Sequence, residues 1–208
     1  EIKRKTQEHN VWTLIGSLAI RAAEDRIVNR SFLIDNNGNI VARYDKIHMF
    51  DVDLDDGQKY KESDTFQSGT KVALKNTPWG RLGFSICYDI RFSYLYRKLA
   101  KNGAEFITIP AAFTRVSGEA HWHVLQRARA IETGSFIISP AQCGTHADGR
   151  KTYGHSLIID PWGNILAESK NKPGVITAEI KLSEVAIARR KIPSLLTDSE
   201  NELELISI

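Results

Sequence analysis

Short apolar runs, some alternating with polar residues and some continuous, predict most of the β-strands in this chain. The run VWTLIGSLAI (11–20) is apolar and β-branched and predicts a buried strand. Residues 26–46 form two alternating runs around Asn37-Gly38, which is the turn signal of a β-hairpin. Two further hairpins, each with a Pro-Trp-Gly turn, are predicted at 71–86 and 153–170. Additional strands are predicted at 105–113, 135–142 and 174–182.

Apolar residues at helical spacing predict helices between these strands. The segments 92–104 and 119–134 are predicted helices that end at Gly103 and Gly134, because glycine accepts the left-handed conformation that closes a helix. Polar residues 2–10 are interpreted as the end of a helix, and a short helix is predicted from residue 183.

Residues 49–69 have no period and many turn formers, so they predict a long loop, and long loops in compact domains are usually functional. Hairpins inserted among β-α-β units indicate an α/β protein of the α+β type, with a mixed-sheet sandwich and helices on its outer faces. A length of 208 residues suits one domain, which we take as residues 1–208.

Composition narrows the function classes. Apolar residues make up 42% and charged residues 25%, as in an ordinary globular protein. The 28 basic and 25 acidic side chains are too evenly balanced to indicate a nucleic-acid partner. The longest apolar run is about six residues, far below the ~20 of a membrane helix, so no membrane partner is predicted. Two cysteines do not make a disulfide framework, and we expect a reducing, cytoplasmic location.

Cys87 is the first candidate for catalysis, because it ends a predicted strand where the chain is expected to turn into a helix. The free N–H groups of a helix start carry partial positive charge. A thiol at this position is expected to have a lowered pKa and to act as a nucleophile. The N–H of Tyr88 would then face an oxyanion formed during attack. The alternative is a buried structural cysteine, which is also our interpretation of Cys143.

Lys46 and Glu62 stand at the start of the long loop and inside it. Each has an ordinary interpretation, as a solvated strand-end lysine and an exposed loop acid. In the functional interpretation, Lys46 stabilises a tetrahedral oxyanion or holds the thiolate by charge. Glu62 then orients Lys46 or relays protons.

The histidines do not indicate a metal site. His121 and His123 are two residues apart and therefore point to different faces of a helix. No Cys/His spacing matches a zinc site, so we predict neither a metal nor a cofactor. A Cys–His dyad of the papain kind, with His121 or His155 as the base, stays open as an alternative.

Five motifs, in one order, carry a resemblance to a known family. The chain resembles the nitrilase superfamily, the thiol-dependent carbon–nitrogen hydrolases, in ARYDKIHMFDVD, YKES, GRLGFSICYDIRF, GEAHWHVLQRARAIETGSFIISPAQCG and YGHSLIIDPWGNIL. The resemblance covers about residues 11–194. The spacings from Lys46 to Glu62 and from Lys46 to Cys87 fit the amidase branch of that superfamily.

This resemblance implies a four-layer α-β-β-α sandwich that assembles into a homodimer or a higher homo-oligomer. It also implies a Glu–Lys–Cys triad, with Cys87 as the nucleophile and Lys46 as the lysine. Glu62 takes the position of a further, supporting glutamate, and Lys46 and the Tyr88 N–H are the implied oxyanion donors. The general-base glutamate of the triad belongs to a strand that would precede residue 1. A first residue other than Met favours a start inside a longer protein, without its N-terminal strands.

The resemblance also bears on the substrate. Residues 139–163 are similar to the enzymes that hydrolyse deaminated glutathione, so we expect hydrolysis of a small carboxylic-acid amide through a Cys thioester. The alternatives are an omega-amidase acting on 2-oxo acid amides, or a binding or subunit form that lacks the general base. Ser93 stands where the family usually has Pro, and Glu119 and His123 replace the common Pro and Glu of its GPAHWE form.

Three residues are predicted to bind substrate. Arg91 follows Cys87 by four residues and could pair with an acid of the protein or with a substrate carboxylate. Phe113 and Thr114 follow a predicted strand, at a strand end where pockets form in layered α/β folds.

Overall fold

The structure, a computed structural model, describes residues 1–22, 26–54 and 59–197. Within these ranges the chain forms thirteen β-strands. They are β1 (Thr13–Arg21), β2 (Ile27–Ile34), β3 (Ile40–Asp45), β4 (Asp51–Asp53), β5 (Lys59–Lys61), β6 (Leu74–Asn76), β7 (Arg81–Phe84), β8 (Phe106–Thr108), β9 (Phe136–Ser139), β10 (Cys143–Thr145), β11 (Lys151–Tyr153), β12 (Leu157–Ile159) and β13 (Ile165–Glu168).

Four α-helices and three short 3-10 helices complete the described elements. The α-helices are α1 (Ile2–Glu8), α2 (Ser93–Lys101), α3 (Arg115–Thr133) and α4 (Ser183–Lys191). The 3-10 helices span Glu62–Asp64, Cys87–Arg91 and Ser194–Leu196. Gly134 ends α3 with a φ of 55°, which is the left-handed closure expected from its sequence position. In the described ranges, we find no helix with the length and apolar character needed to cross a membrane.

Two sheets form the body of the fold. The smaller is antiparallel, in the order β1-β2-β3, and α1 joins it where the buried Thr6 donates a hydrogen bond to Thr13 at 2.8 Å. The larger has the order β13-β12-β9-β8-β7-β6. Its central pairs β7–β8 and β8–β9 are parallel and the outer pairs are antiparallel. Parallel neighbours need a crossover, which α2 and α3 provide.

Apolar side chains are buried on both faces of the larger sheet. Leu95 and Leu99 of α2 and Trp122 of α3 are buried against strands β8, β9 and β12. On the other face, Leu33 and Tyr44 of the smaller sheet pack with Leu82, Phe84 and Ile86. The layers are therefore helix, sheet, sheet and helix, as predicted. The junction after β7 lies at the boundary of both cores, and Cys87 contacts both of them.

The three predicted hairpins and the helices are confirmed, but four other segments differ from the prediction. The strand predicted as buried at 11–20 forms as β1, but none of the residues of β1 is buried. Residues 174–182 form no strand: alternate residues are half-buried, but no described strand pairs with this backbone, and Val175 is 92% exposed. The predicted loop 49–69 contains the β4–β5 hairpin and a 3-10 turn, although residues 55–58 lie outside the described residues. The polar segment after β9 contains the β10–β11 hairpin. These hairpins pair only three residues per strand, which is too few to show an alternation of apolar and polar residues in the sequence.

Candidate active site

A cavity of about 480 Å³ opens beside the carboxyl ends of β7 and β8. Its walls are formed by the ends of β3 and β7, by the residues after β8, and by the segment between β4 and the 3-10 helix Glu62–Asp64. Cys87, Lys46 and Glu62 all line it. The structure thus brings together three residues that are far apart in the sequence.

Cys87 sits at a sharp turn between β7 and the following 3-10 helix. Its φ of 49° lies in the left-handed region, which a side chain such as cysteine adopts only when its surroundings enforce it. The backbone N–H of Cys87 donates to the carbonyl of Pro110 at 2.9 Å and holds the turn against the end of β8. The half-buried thiol is therefore presented to the cavity by a strained, fixed backbone.

The environment of the thiol raises the pKa of Cys87, contrary to the sequence expectation. Burial is the main cause, and the negative charges of Glu62 and Asp89 add to it. The Lys46 ammonium and a hydrogen bond from the Ala112 N–H lower the pKa, but by less. The expectation considered only the local helix start and not the burial of the sulfur, which outweighs the favourable charge of Lys46. This shift favours the protonated form of the sulfur.

Lys46 is held in a buried ion pair. Its side chain is 2% exposed and its ammonium contacts the Glu62 carboxylate. Glu62 also accepts the Phe50 N–H at 2.7 Å and the Asn29 side-chain amide at 3.5 Å. An unpaired ammonium would be costly in this position, so Glu62 both neutralises and orients Lys46.

Asp89 is an important residue that sequence reasoning missed. It is fully buried, and its carboxylate accepts hydrogen bonds from the Tyr44 hydroxyl at 2.7 Å and from the Ile86 N–H at 2.9 Å. Its other oxygen accepts the His48 N–H at 3.1 Å and contacts His48 Nδ1 at 2.6 Å. Asp89 therefore ties the segment around Lys46 to the turn that presents Cys87. The available signal was an acid two residues after the cysteine, inside the quoted motif.

The residues predicted to bind substrate divide into two groups. Phe113 and Thr114 line the cavity, as does Tyr88, whose N–H has no hydrogen-bond partner in the part of the chain that the structure describes. Arg91 does not line the cavity. Its guanidinium lies over the rings of Tyr88 and Phe113, at 5.8 and 5.3 Å, and contacts His121 Nδ1 at 3.3 Å.

The structure does not support a papain-like dyad, because neither candidate base lines the cavity. The ring of His121 contacts Arg91, and the ring of His155 contacts Glu168 at 2.6 Å. Cys143 is also outside the cavity, in the β10–β11 hairpin.

The three departures from the family pattern also lie outside the cavity lining. Ser93 begins α2, and Glu119 pairs with Arg115 at 2.8 Å on the surface of α3. His123 contacts Glu168 at 3.1 Å. None of the three therefore touches the space in which a substrate would lie.

Arg150 lines the cavity and was not among the predicted site residues. It follows the turn of the β10–β11 hairpin. Its buried Nε has no hydrogen-bond partner within the described ranges and forms a long ion pair with Asp148, at 3.9 Å. This guanidinium is thus available to an acidic group that enters the cavity.

A two-sheet sandwich with a thiol and a buried lysine at one cavity defines the class: a thiol-dependent hydrolase with an α-β-β-α fold. The chain belongs to the carbon–nitrogen hydrolase family, whose model matches residues 1–190. This confirms both the resemblance to the nitrilase superfamily and the predicted fold.

Known relatives agree in sequence and in structure. The chain is 42% identical to a deaminated glutathione amidase of Yersinia enterocolitica over 198 residues, which are 94% of this chain and 69% of the relative. It is 43% identical to a protein of the same name from Synechocystis sp., over 93% of this chain and 73% of the relative. The crystal structure of the C. elegans NitFhit protein matches 95% of this chain and 48% of that chain, with a TM-score of 0.89 and 37% identity.

Proposed function

We propose that the protein hydrolyses an amide of a small carboxylic acid, with Cys87 as the nucleophile. The observation that supports this most directly is that Cys87, Lys46 and Glu62 line one cavity. Its wall also carries the Tyr88 N–H without a protein partner in the described residues. A nucleophile next to donors for a developing oxyanion is the arrangement that acyl transfer needs.

In this mechanism the Cys87 sulfur loses its proton to a base and attacks the amide carbonyl carbon. The carbonyl oxygen becomes an oxyanion that the Lys46 ammonium and the Tyr88 N–H stabilise. The C–N bond then breaks, and the nitrogen takes up a proton and leaves as ammonia or an amine. Water attacks the resulting thioester, which releases the carboxylic acid and restores the thiol.

Two glutamates have different tasks in this scheme. The Glu62 carboxylate already accepts Lys46 and the Phe50 N–H, so it positions Lys46 and is poorly placed to take the thiol proton. We assign the proton transfers to a general-base glutamate of the kind that the family resemblance implies. Because burial raises the pKa of Cys87, such a base is required at neutral pH.

We propose deaminated glutathione as the substrate. The two relatives above are named deaminated glutathione amidases, and they match more than nine-tenths of this chain. Arg150 supports an acidic substrate, because its guanidinium lines the cavity and its Nε has no hydrogen-bond partner in the described residues. Lys59 and Lys61 also line the cavity, but Asp53 and Asp64 pair with them at 2.7 and 2.9 Å, so the argument rests on Arg150.

The test is a trapping experiment on the full-length protein with deaminated glutathione, read by intact mass and by mapping the labelled peptide. We expect an acyl adduct on Cys87, release of the amine product, and loss of both in Cys87→Ser, since a hydroxyl is a much poorer nucleophile here. Cys143→Ser is the matched control, because that thiol is also free and half-buried but lies outside the cavity. An adduct on any other residue would contradict the proposal.

We also propose that residues 1–208 act as one domain of a homodimer or higher homo-oligomer in a reducing cytoplasm. Val116, Val124 and Ile131 support self-association, because they are exposed along α3 and would be covered by a second copy. The free thiols of Cys87 and Cys143 fit a reducing compartment. Light scattering after size-exclusion chromatography measures the oligomer, and Val124→Glu should shift it toward the monomer.

A further inference from the structure

Two histidines and a glutamate meet beside α3, at the end of β13. Glu168 Oε1 lies 3.1 Å from His123 Nε2 and 2.6 Å from His155 Nδ1. One ligand atom from each residue fits within 4.8 Å of the other two. All three side chains are half-buried, and none of them lines the catalytic cavity.

The three ligands come from elements that hold them firmly. His123 projects from α3 and Glu168 from the end of β13. His155 has a φ of 55°, and its backbone is fixed by a bond from Trp122 Nε1 to its carbonyl at 2.7 Å. The ring of Tyr153 stacks on the His155 ring at 4.2 Å. These contacts with Trp122 and Tyr153 hold the His155 imidazole next to Glu168.

The ligand types suit a cation. Imidazole nitrogens and a carboxylate oxygen are good ligands for divalent transition metals.

We propose that His123, His155 and Glu168 form a binding site for a divalent transition metal such as Zn²⁺, separate from the catalytic cavity. Two imidazoles and one carboxylate are a known three-ligand set for zinc, with a fourth position open to water. Zinc bonds of about 2.1 Å in a tetrahedron place ligand atoms about 3.4 Å apart. The observed separations, from 2.6 Å to at most 4.8 Å, reach this geometry with changes of up to about 1.4 Å. Mg²⁺ and Ca²⁺ are excluded by their preference for oxygen ligands.

The prediction that the chain has no metal site rested on the sequence spacing of Cys and His residues. This cluster has no such spacing pattern, so the sequence could not indicate it. Its residues lie in α3, in the loop before β12 and at the end of β13, and only the pairing of β12 with β13 and the packing of α3 bring them together. At His123 this chain departs from the common family form noted above, which has Glu at this position. The metal would clamp α3 to the β12–β13 hairpin.

The test is calorimetric titration of the protein with Zn²⁺ alone, compared between two variants of α3. We expect one Zn²⁺ per chain for the parent and at least about a 100-fold loss of affinity in His123→Ala, which removes a ligand. His121→Ala is the control, since His121 is two residues away on the same helix and contacts Arg91 instead of the cluster. Its affinity should stay within about twofold of the parent.

Co²⁺ provides a second readout that separates this site from the free thiols. Binding to nitrogen and oxygen ligands should give visible d–d bands without a thiolate charge-transfer band, and these bands should be lost in His155→Asn. Asparagine tolerates the left-handed backbone at this position, so this variant is expected to fold. Equal Zn²⁺ affinity in His123→Ala and the parent, no saturable binding by the parent, or a thiolate band would each overturn the proposal.

Discussion

Substitution of Asp89 is the strongest single test of the contacts that hold the site together. Asp89→Asn keeps the shape of the side chain but replaces one acceptor oxygen by an NH₂ group. If the NH₂ replaces the oxygen that faces Tyr44 and Ile86, the hydroxyl of Tyr44 can rotate and accept, but the Ile86 N–H loses its acceptor. If it replaces the other oxygen, the His48 N–H loses its acceptor instead.

The expected loss of stability follows from the number of hydrogen bonds that Asp89→Asn removes. In either orientation one buried backbone N–H is left unsatisfied, at about 1–3 kcal/mol, and the remaining bonds lose the strength that the charged acceptor gave them. We therefore expect the free energy of unfolding to fall by about 2–4 kcal/mol. For a chain of 208 residues this corresponds to a decrease in Tm of about 4–16 °C.

The assay is urea unfolding followed by circular dichroism, together with turnover of the amide substrate. Asp53→Asn is the control, because Asp53 is exposed and pairs with Lys59 at the surface, where an ion pair contributes at most about 1 kcal/mol. Turnover should fall in Asp89→Asn even where the protein is fully folded, because the turn that presents Cys87 loses its link to the segment of Lys46. If Asp89→Asn were as stable and active as Asp53→Asn, this reasoning would be refuted.

Two further predictions concern the cavity. The rate of Cys87 alkylation by iodoacetamide should rise with pH around a midpoint above that of an ordinary thiol, because burial raises the pKa of Cys87. Lys46→Gln should move this midpoint higher still, because it removes a positive charge that lowers the pKa. A midpoint below that of free cysteine would show that charge outweighs burial. Arg150→Gln should raise KM for amides that carry a carboxylate by about 10–100-fold and leave a neutral amide nearly unchanged. Equal effects on both amides would indicate a structural role instead.

The predicted hairpins and helices were confirmed where patterning and local signals agreed. Asn37-Gly38 forces a turn, and Gly134 ends α3 because no side chain opposes its left-handed backbone. The strand predicted at 174–182 was wrong because alternation alone does not make a strand: every second residue is half-buried, but no described strand pairs with this backbone. The short β4–β5 and β10–β11 hairpins were missed because pairing of three residues leaves no pattern to detect.

The candidate site was found partly from sequence order and partly from structure. Motifs in a fixed order were enough to single out Cys87, Lys46 and Glu62 and to indicate the family. They could not show that Asp89 joins two of these segments, or that Arg150 lines the cavity while Arg91 packs behind it. These facts depend on contacts between residues that are distant along the chain.

The amino-acid sequence by itself determined the family, and with it the class of chemistry, since motifs in a fixed order indicated the carbon–nitrogen hydrolases. Only the tertiary structure decided the protonation of Cys87, because burial depends on every segment that packs around the sulfur. It also decided which nitrogen and oxygen atoms of His123, His155 and Glu168 converge. Local residue types act through propensity and reactivity, whereas desolvation and ligand geometry arise only when distant segments meet.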